Sequence, residues 1–424
     1  MKIKISQIVI VLLCFYLIFG IYLLDASFDR VLRIFRFITL PILILIIFEL
    51  TPKIKLIRLK KLIWLGLPIL ILFFINLLQL FAIPKDAIEM HITGSVKFTA
   101  WFGTYLCSLL SLNPTSALQY KKYISNVLLI IFLIGVATYP IIMISSGISL
   151  STVLAGYGAA EDRVQASGLF GSANEDANGL MTLFPIALVF LEQVEGNKKI
   201  IFKFVLFSFF PFLLLYNGTR ITLFFTLPVI LILFYSKLSL KGLVRLLLMG
   251  ATPLLLSVPF IATFIDRSFA SNTGGEGDSY AWRLTEVWIP AIEYTEKYSP
   301  MFGFGSRGWD YMVEQLGFFD GLGLGLSAHS GYIWAFVSWG ALGLLAYILF
   351  FIVLLIESFR LSQLPNTELS TFGRALFCSV LAYCIWAYIS NVFWAQGWVI
   401  LVSLATLIAA TKIIASTSPK FRIY

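Results

Sequence analysis

His329 is the side chain in this sequence best suited to move a proton near neutral pH. It stands in Ser327-Ala328-His329-Ser330-Gly331-Tyr332, and the only other histidine is His91. An imidazole with an ordinary pKa near 6.5 is a natural acceptor for the proton of an attacking hydroxyl. The plain alternative is a helix-end histidine with no catalytic task. His91 lies in a nearly neutral connecting stretch and reads as incidental. Four arginines have chemistry that complements an imidazole: Arg163, Arg220, Arg283 and Arg307. A guanidinium offers a planar fork of donors that matches phosphate and diphosphate oxygens. Arg220 follows Asn217-Gly218-Thr219, and Arg163 precedes Gly168-Leu169-Phe170-Gly171-Ser172-Ala173-Asn174. Arg307 closes Pro300-Met301-Phe302-Gly303-Phe304-Gly305-Ser306, where glycines let a backbone approach an anion and aromatic rings can stack on sugars. Gly-rich turns are common, so that segment carries little by itself.

Arg283 opens a helical pattern over 281–298. Arg283, Glu286, Pro290, Glu293 and Lys297 fall on one face. Leu284, Trp288, Ala291, Ile292, Thr295 and Tyr298 form the other. Such a two-faced helix can lie in a membrane interface, with Pro290 expected to kink it. A surface helix pairing Arg283 with Glu286 is the alternative. Glu286 and Trp288 are the supporting site candidates. No Asp-x-Asp pair occurs in any loop, so a metal-bridged nucleotide-sugar site is unsupported and no metal or cofactor is expected. Arginines would then have to offset the charge of a diphosphate leaving group. No Walker-type phosphate loop is present.

The elements that must hold these residues are membrane spans. The chain is 59% hydrophobic with mean hydropathy +0.92, and runs of about 20 apolar residues match a ~30 Å hydrocarbon core. They fall at 7–24, 37–50, 62–83, 98–113, 123–147, 179–194, 200–216, 221–236, 243–265, 329–356, 375–391 and 394–411. The fold class is therefore all-α and polytopic, a single integral membrane domain over 1–424 with about twelve transmembrane helices. The alternating ~10-residue pattern of a barrel is not seen. Cys14, Cys107, Cys378 and Cys384 all fall within spans and read as buried free thiols.

Assigning the connections alternately to two sides separates the basic residues. Roughly two-thirds of the 31 Lys and Arg, mostly Lys, collect on the side that carries both termini, the cytoplasmic signature. The other side is dominated by Arg and holds two long connections, 148–178 and 266–328. Long connections in compact proteins usually carry function. The net charge of +9 sits in short loops beside spans. Anionic lipid and topology explain it without nucleic acid.

Four segments, in this order, resemble the O-antigen ligase and polymerase superfamily of bacterial envelope glycosyltransferases. They are Arg163 to Leu180, Asn217 to Arg220, Trp282 to Arg307, and His329 to Gly343 with its trailing Gly-x-x-Gly. One departure is Ser330, where the family often has Asn after the histidine. The resemblance implies an outward-facing site in the bacterial inner membrane, with both termini cytoplasmic. It implies a glycan carried on undecaprenyl diphosphate and transfer, typically with inversion, to an acceptor hydroxyl on a glycan or on lipid A–core. No nucleotide or metal would be needed. Arg220 and Arg283 would grip the diphosphate, His329 would orient or deprotonate the hydroxyl, and Arg163 and Arg307 would support. Other polysaccharide-export proteins are implied partners. Polymerase and ligase differ only in acceptor, and a polysaccharide transporter or flippase is the competing reading.

Overall fold

The computed structural model describes residues 4–22, 38–47, 49, 56–146, 173–217, 222–235, 283–318, 328–390 and 395–417. These residues are about 90% helical, with no strand among them. In chain order the α-helices are α1 (Ile5–Tyr22), α2 (Ile38–Ile47), α3 (Leu56–Ala82), α4 (Ile88–Ser111), α5 (Pro114–Ser146), α6 (Ala173–Gln193) and α7 (Gly196–Phe204). There follow α8 (Phe210–Asn217), α9 (Leu227–Tyr235), α10 (Ile289–Tyr298), α11 (Gly308–Asp310), α12 (Gly331–Ser362), α13 (Thr367–Ile389) and α14 (Ala395–Thr417).

Among the described residues, five helical stretches are long and apolar enough to cross a bilayer: Leu62–Ala82, Pro114–Thr138, Gly331–Ser362, Thr367–Tyr388 and Gly397–Thr417. The protein is an all-α membrane protein. In α14, 83% of the apolar stretch is buried inside the protein, against 39% in α5. α14 is therefore the central helix, apolar on every side. Apolar packing alone does not distinguish protein from lipid tails, so polar side chains bridge the helices. Ser108 meets Thr406 at 3.0 Å, Tyr105 donates to the Leu65 carbonyl at 3.0 Å, and Ser111 meets Tyr120 at 2.7 Å. As expected, the cysteines are free thiols, two buried and two half-buried.

The two ends of the bundle differ in chemistry. At one end Lys412 and Arg360 flank the buried Glu357 at 2.7 and 2.9 Å, and Lys121 pairs with Glu368 at 2.7 Å. There Arg374 donates to the Phe234 carbonyl at 2.8 Å, satisfying the C-terminal turn of α9. The opposite end carries a cap built from 83–91, 283–318 and 328–337. The cap has its own apolar cluster, which includes Val287, Trp288, Phe304, Trp309, Met312 and Ala328.

Cap and bundle are joined where α12 breaks. Gly340 has φ 66° and ψ −168°, so the run expected as one span over 329–356 is two helices, 331–339 and 341–362. The second piece is about 33 Å long at ~1.5 Å per residue, the thickness of a hydrocarbon core. A break inside a span must not leave backbone polar groups unsatisfied. Here the segment 300–305 fills it. The amides of Phe304 and Gly305 donate to Val337 and Ser338 at 2.9 Å each, and Ala341 and Leu342 donate to Pro300 and Met301 at 2.8 and 3.3 Å. Gln79 of α3, itself fully buried, donates to the Ser338 carbonyl at 2.7 Å and to the Phe302 carbonyl. The approach is close enough to require glycine at two positions. A Cβ on Gly340 would lie 2.3 Å from the Met301 carbonyl carbon, and one on Gly303 (φ 64°) would lie 2.5 Å from the Val337 oxygen.

Candidate functional site

His329 sits in the cap with φ 47°, the only non-glycine residue with positive φ among those described. A non-glycine residue in this left-handed region costs on the order of 1 kcal/mol or more and persists only where neighbours impose it. Two neighbours do so. The buried Trp288 indole donates to the Ala328 carbonyl at 2.7 Å, fixing the residue before. Ser330 then caps the first turn of α12, its carbonyl accepting from Trp334 at 3.0 Å. The imidazole is half-buried between these anchors.

Trp288 is the last residue of a π-helical turn, Arg283–Trp288, whose first residue is the half-buried Arg283. An i→i+5 turn places its first and last side chains on one face. Arg283 is therefore one turn from the tryptophan that holds the peptide before His329. Glu286 in the same turn is exposed. The Trp288 ring also meets Tyr388, near the end of α13, edge-on at 6.4 Å.

This turn corrects the expected helix over 281–298. The chain is π-helical to Trp288 and α-helical only from Ile289, so Pro290 falls in the first turn of α10 rather than kinking a continuous helix. Proline is tolerated there because that amide needs no intrahelical partner. The wider turn also rotates the faces. The buried stripe is Val287, Ala291 and Thr295 with Trp288, while Leu284 and Tyr298, expected on the apolar face, are 37% and 57% exposed.

π-Helical turns make up well under 1% of residues in ordinary proteins and favour functional sites. Among the described residues they occur at 205–209, 222–226, 283–288 and 311–315. The second begins two residues after Arg220, the third begins at Arg283, and the fourth begins four residues after Arg307. Arg163 and Arg220 themselves lie outside the described residues. The helices that flank them do meet: Thr222 donates to Asn178 at 2.9 Å, both buried. Asn178 of the first segment thus meets Thr222, which lies two residues beyond the second segment.

Arg307 is placed differently from the expectation of an anion-facing cradle. Its Nε donates to Asp310 at 2.5 Å, and a terminal nitrogen lies 3.5 Å from Glu314. An anion there would compete with two carboxylates. The glycines before it bring the backbone against residues 337–340 and His91 rather than against a ligand. Phe304 and Trp309 are 3% and 2% exposed and pack in the cap core, out of reach of a sugar.

The expectation for His91 also changes. The stretch 84–97 is not a loop: a short 3₁₀ turn over Lys85–Ala87 leads into α4 at Ile88. His91 is 1% exposed, and its Nδ1 accepts the Ser306 amide proton at 3.0 Å. Nearby, Tyr311 donates to Asp86 at 2.8 Å, and burial together with that carboxylate raises the phenol's pKa. Asn76 and Gln79 went unremarked as sequence, yet two polar amides three residues apart on one face of an apolar run were a readable signal.

No protein-family model matches the chain, and none of the curated proteins matches it.

Proposed function

We propose that the protein is a membrane glycosyltransferase of the O-antigen ligase or polymerase type, taking its glycan from an undecaprenyl-diphosphate donor. The observation that carries this reading is His329, held in a left-handed conformation by Trp288 one π-turn from Arg283. An imidazole so constrained is suited to orient or deprotonate an acceptor hydroxyl. The hydroxyl oxygen would bond to the anomeric carbon with inversion as the bond to the diphosphate oxygen breaks. The proton would pass to His329, and the diphosphate would leave with the bonding electrons. Arg283 and Arg220, with Arg163 in support, would offset the charge on that leaving group. Arg307, already engaged by Asp310, would act mainly to shape the cap. Neither nucleotide nor metal enters the reaction.

The topology that goes with this reading has twelve spans, both termini in the cytoplasm, and the cap on the outer face of the bacterial inner membrane. The end bearing Lys121, Arg374 and Lys412 fits the cytoplasmic side. The donor glycan, a glycan or lipid A–core acceptor, the bilayer and other polysaccharide-export proteins are its proposed partners.

A transporter reading draws support from the broken helix, since transporters use discontinuous spans. Transporters leave backbone groups at the break for ions or substrate, however, and here segment 300–305 and Gln79 bind both sides of it.

The test is reconstitution of the full chain with lipid-linked oligosaccharide, chelator and no nucleotide. Longer lipid-linked chains make it a polymerase, and glycan on a different acceptor makes it a ligase. Translocation without a new glycosidic bond overturns the transferase reading.

A further inference from the structure

The polar cluster beneath the cap is not used by the transfer chemistry above. It joins three elements: Asn76 on α3, His91 and Ser95 on α4, and Ser306 in the segment that fills the α12 break. Asn76 donates to the Ser306 hydroxyl at 2.7 Å, and Ser95 lies 2.7 Å from the Asn76 amide oxygen and 3.2 Å from the Ser306 hydroxyl. The imidazole seats on a glycine. A Cβ on Gly305 (φ 100°) would lie 2.9 Å from His91 ring atoms, and one on Gly94 would lie 2.8 Å from Ser306 and from the Arg307 stem.

The tautomer follows from the backbone. The Ser306 amide can only donate, so Nδ1 carries a lone pair and the neutral ring holds its proton on Nε2. Ser95 lies 3.4 Å from Nε2, facing a donor rather than a base. A serine–histidine nucleophile is thereby excluded, and the cluster is left with a holding task.

We propose that His91 is a positioning residue that, as a neutral imidazole, clamps the segment carrying Ser306 and Arg307 onto α4. This deepens the transferase reading and rests on it only where activity is concerned. Protonating the ring places a second N–H against the Ser306 amide, removing the acceptor and putting a charge where almost no solvent reaches. Burial already lowers the imidazole pKa, which sets the direction. The folded state resists the proton that the released state accepts, so the clamp holds at full strength above about pH 6.5 and weakens as pH falls below it. The surrounding charges do not reverse this. α3 presents the amides of Asn76 and Gln79, and the Asn76 backbone hydrogen bond to the ring favours the charged form by less than burial opposes it. Arg307 brings a positive charge that Asp310 and Glu314 offset. Lys85, Asp86 and Glu89 on the preceding turn are exposed.

The experiment is hydrogen exchange of residues 300–308 in the full chain, reconstituted in liposomes, with protection corrected for the intrinsic pH dependence of exchange. In the wild type, protection falls by up to about tenfold between pH 7.5 and pH 5.5. His91→Asn places an amide oxygen where Nδ1 was and keeps protection at both pH values. His91→Gln reaches the Nε2 position instead and loses protection at both. Wild-type protection that does not change with pH overturns the proposal without need of any variant, as does His91→Gln protection equal to wild type. Glycan transfer is followed in the same liposomes. If the wild type makes no glycosidic bond at pH 7.5, the transferase reading fails, while the exchange data still judge the clamp.

Discussion

Two stretches of the cap, each with an arginine near aromatic residues, look alike as sequence and are built for different ends. In 299–309 every feature that resembles an anion cradle turns inward. The glycines admit backbone to backbone contact with the broken helix, the aromatic rings are core, and Arg307 is held by two carboxylates. In 283–288 and 328–331 the anchors are buried but the arginine and histidine are not. A rare helical turn and a left-handed histidine are held in place by a tryptophan hydrogen bond, with Arg283 and His329 both half-buried rather than absorbed into the core. The difference teaches that a Gly-Arg motif is structural where the protein itself takes up its backbone groups and its guanidinium. In the first stretch they are consumed by the protein, which makes it the scaffold on which the second is held.

The scaffold is where a substitution has the largest effect. Gly340→Ala would need both a disfavoured φ and room that Met301 occupies, so a loss of about 3 kcal/mol or more is expected. It is read as a lowered Tm and poor recovery of monodisperse protein in detergent. Trp288→Phe keeps the ring but strands the Ala328 carbonyl, for a cost of about 1–2 kcal/mol. It should reduce transfer more than that loss of folded protein accounts for, because the backbone of His329 is released. His329→Gly sharpens the contrast by acting in the opposite direction. Relief of the left-handed strain is expected to hold Tm level or raise it by an amount corresponding to about 1 kcal/mol or less, while transfer is lost. The smallest effect is expected at Arg307→Gln. A partly exposed ion pair contributes about 0–1 kcal/mol, so transfer should change by only a few-fold, against a drop of about a hundredfold for Arg283→Gln.

The membrane class was legible because hydropathy over twenty residues is a coarse, additive signal. Trp288 and His329 stood out as residue types in a long connection, though a helix-end histidine with no catalytic task fitted the sequence as well. Their geometry was not. Gly340 lies inside an unbroken apolar run, where hydropathy carries no information about φ. The shift from π- to α-helix at Ile289 falls where Trp288 hydrogen-bonds to residue 328, a contact no local periodicity encodes. His91 read as incidental because the amide it accepts from belongs to Ser306, 215 residues away. Arg307 read as an anion ligand from the glycines and aromatic rings around it, whereas Asp310 and Glu314, which engage it, belong to the turn that follows.

The most direct test of the central claim is His329→Asn in liposomes with lipid-linked donor and acceptor. Asparagine tolerates the left-handed backbone, so the fold and donor binding should match the wild type, and only the imidazole is removed. The account predicts bound donor with new glycosidic bonds reduced by at least about a hundredfold. Transfer at the wild-type rate by that variant would contradict it.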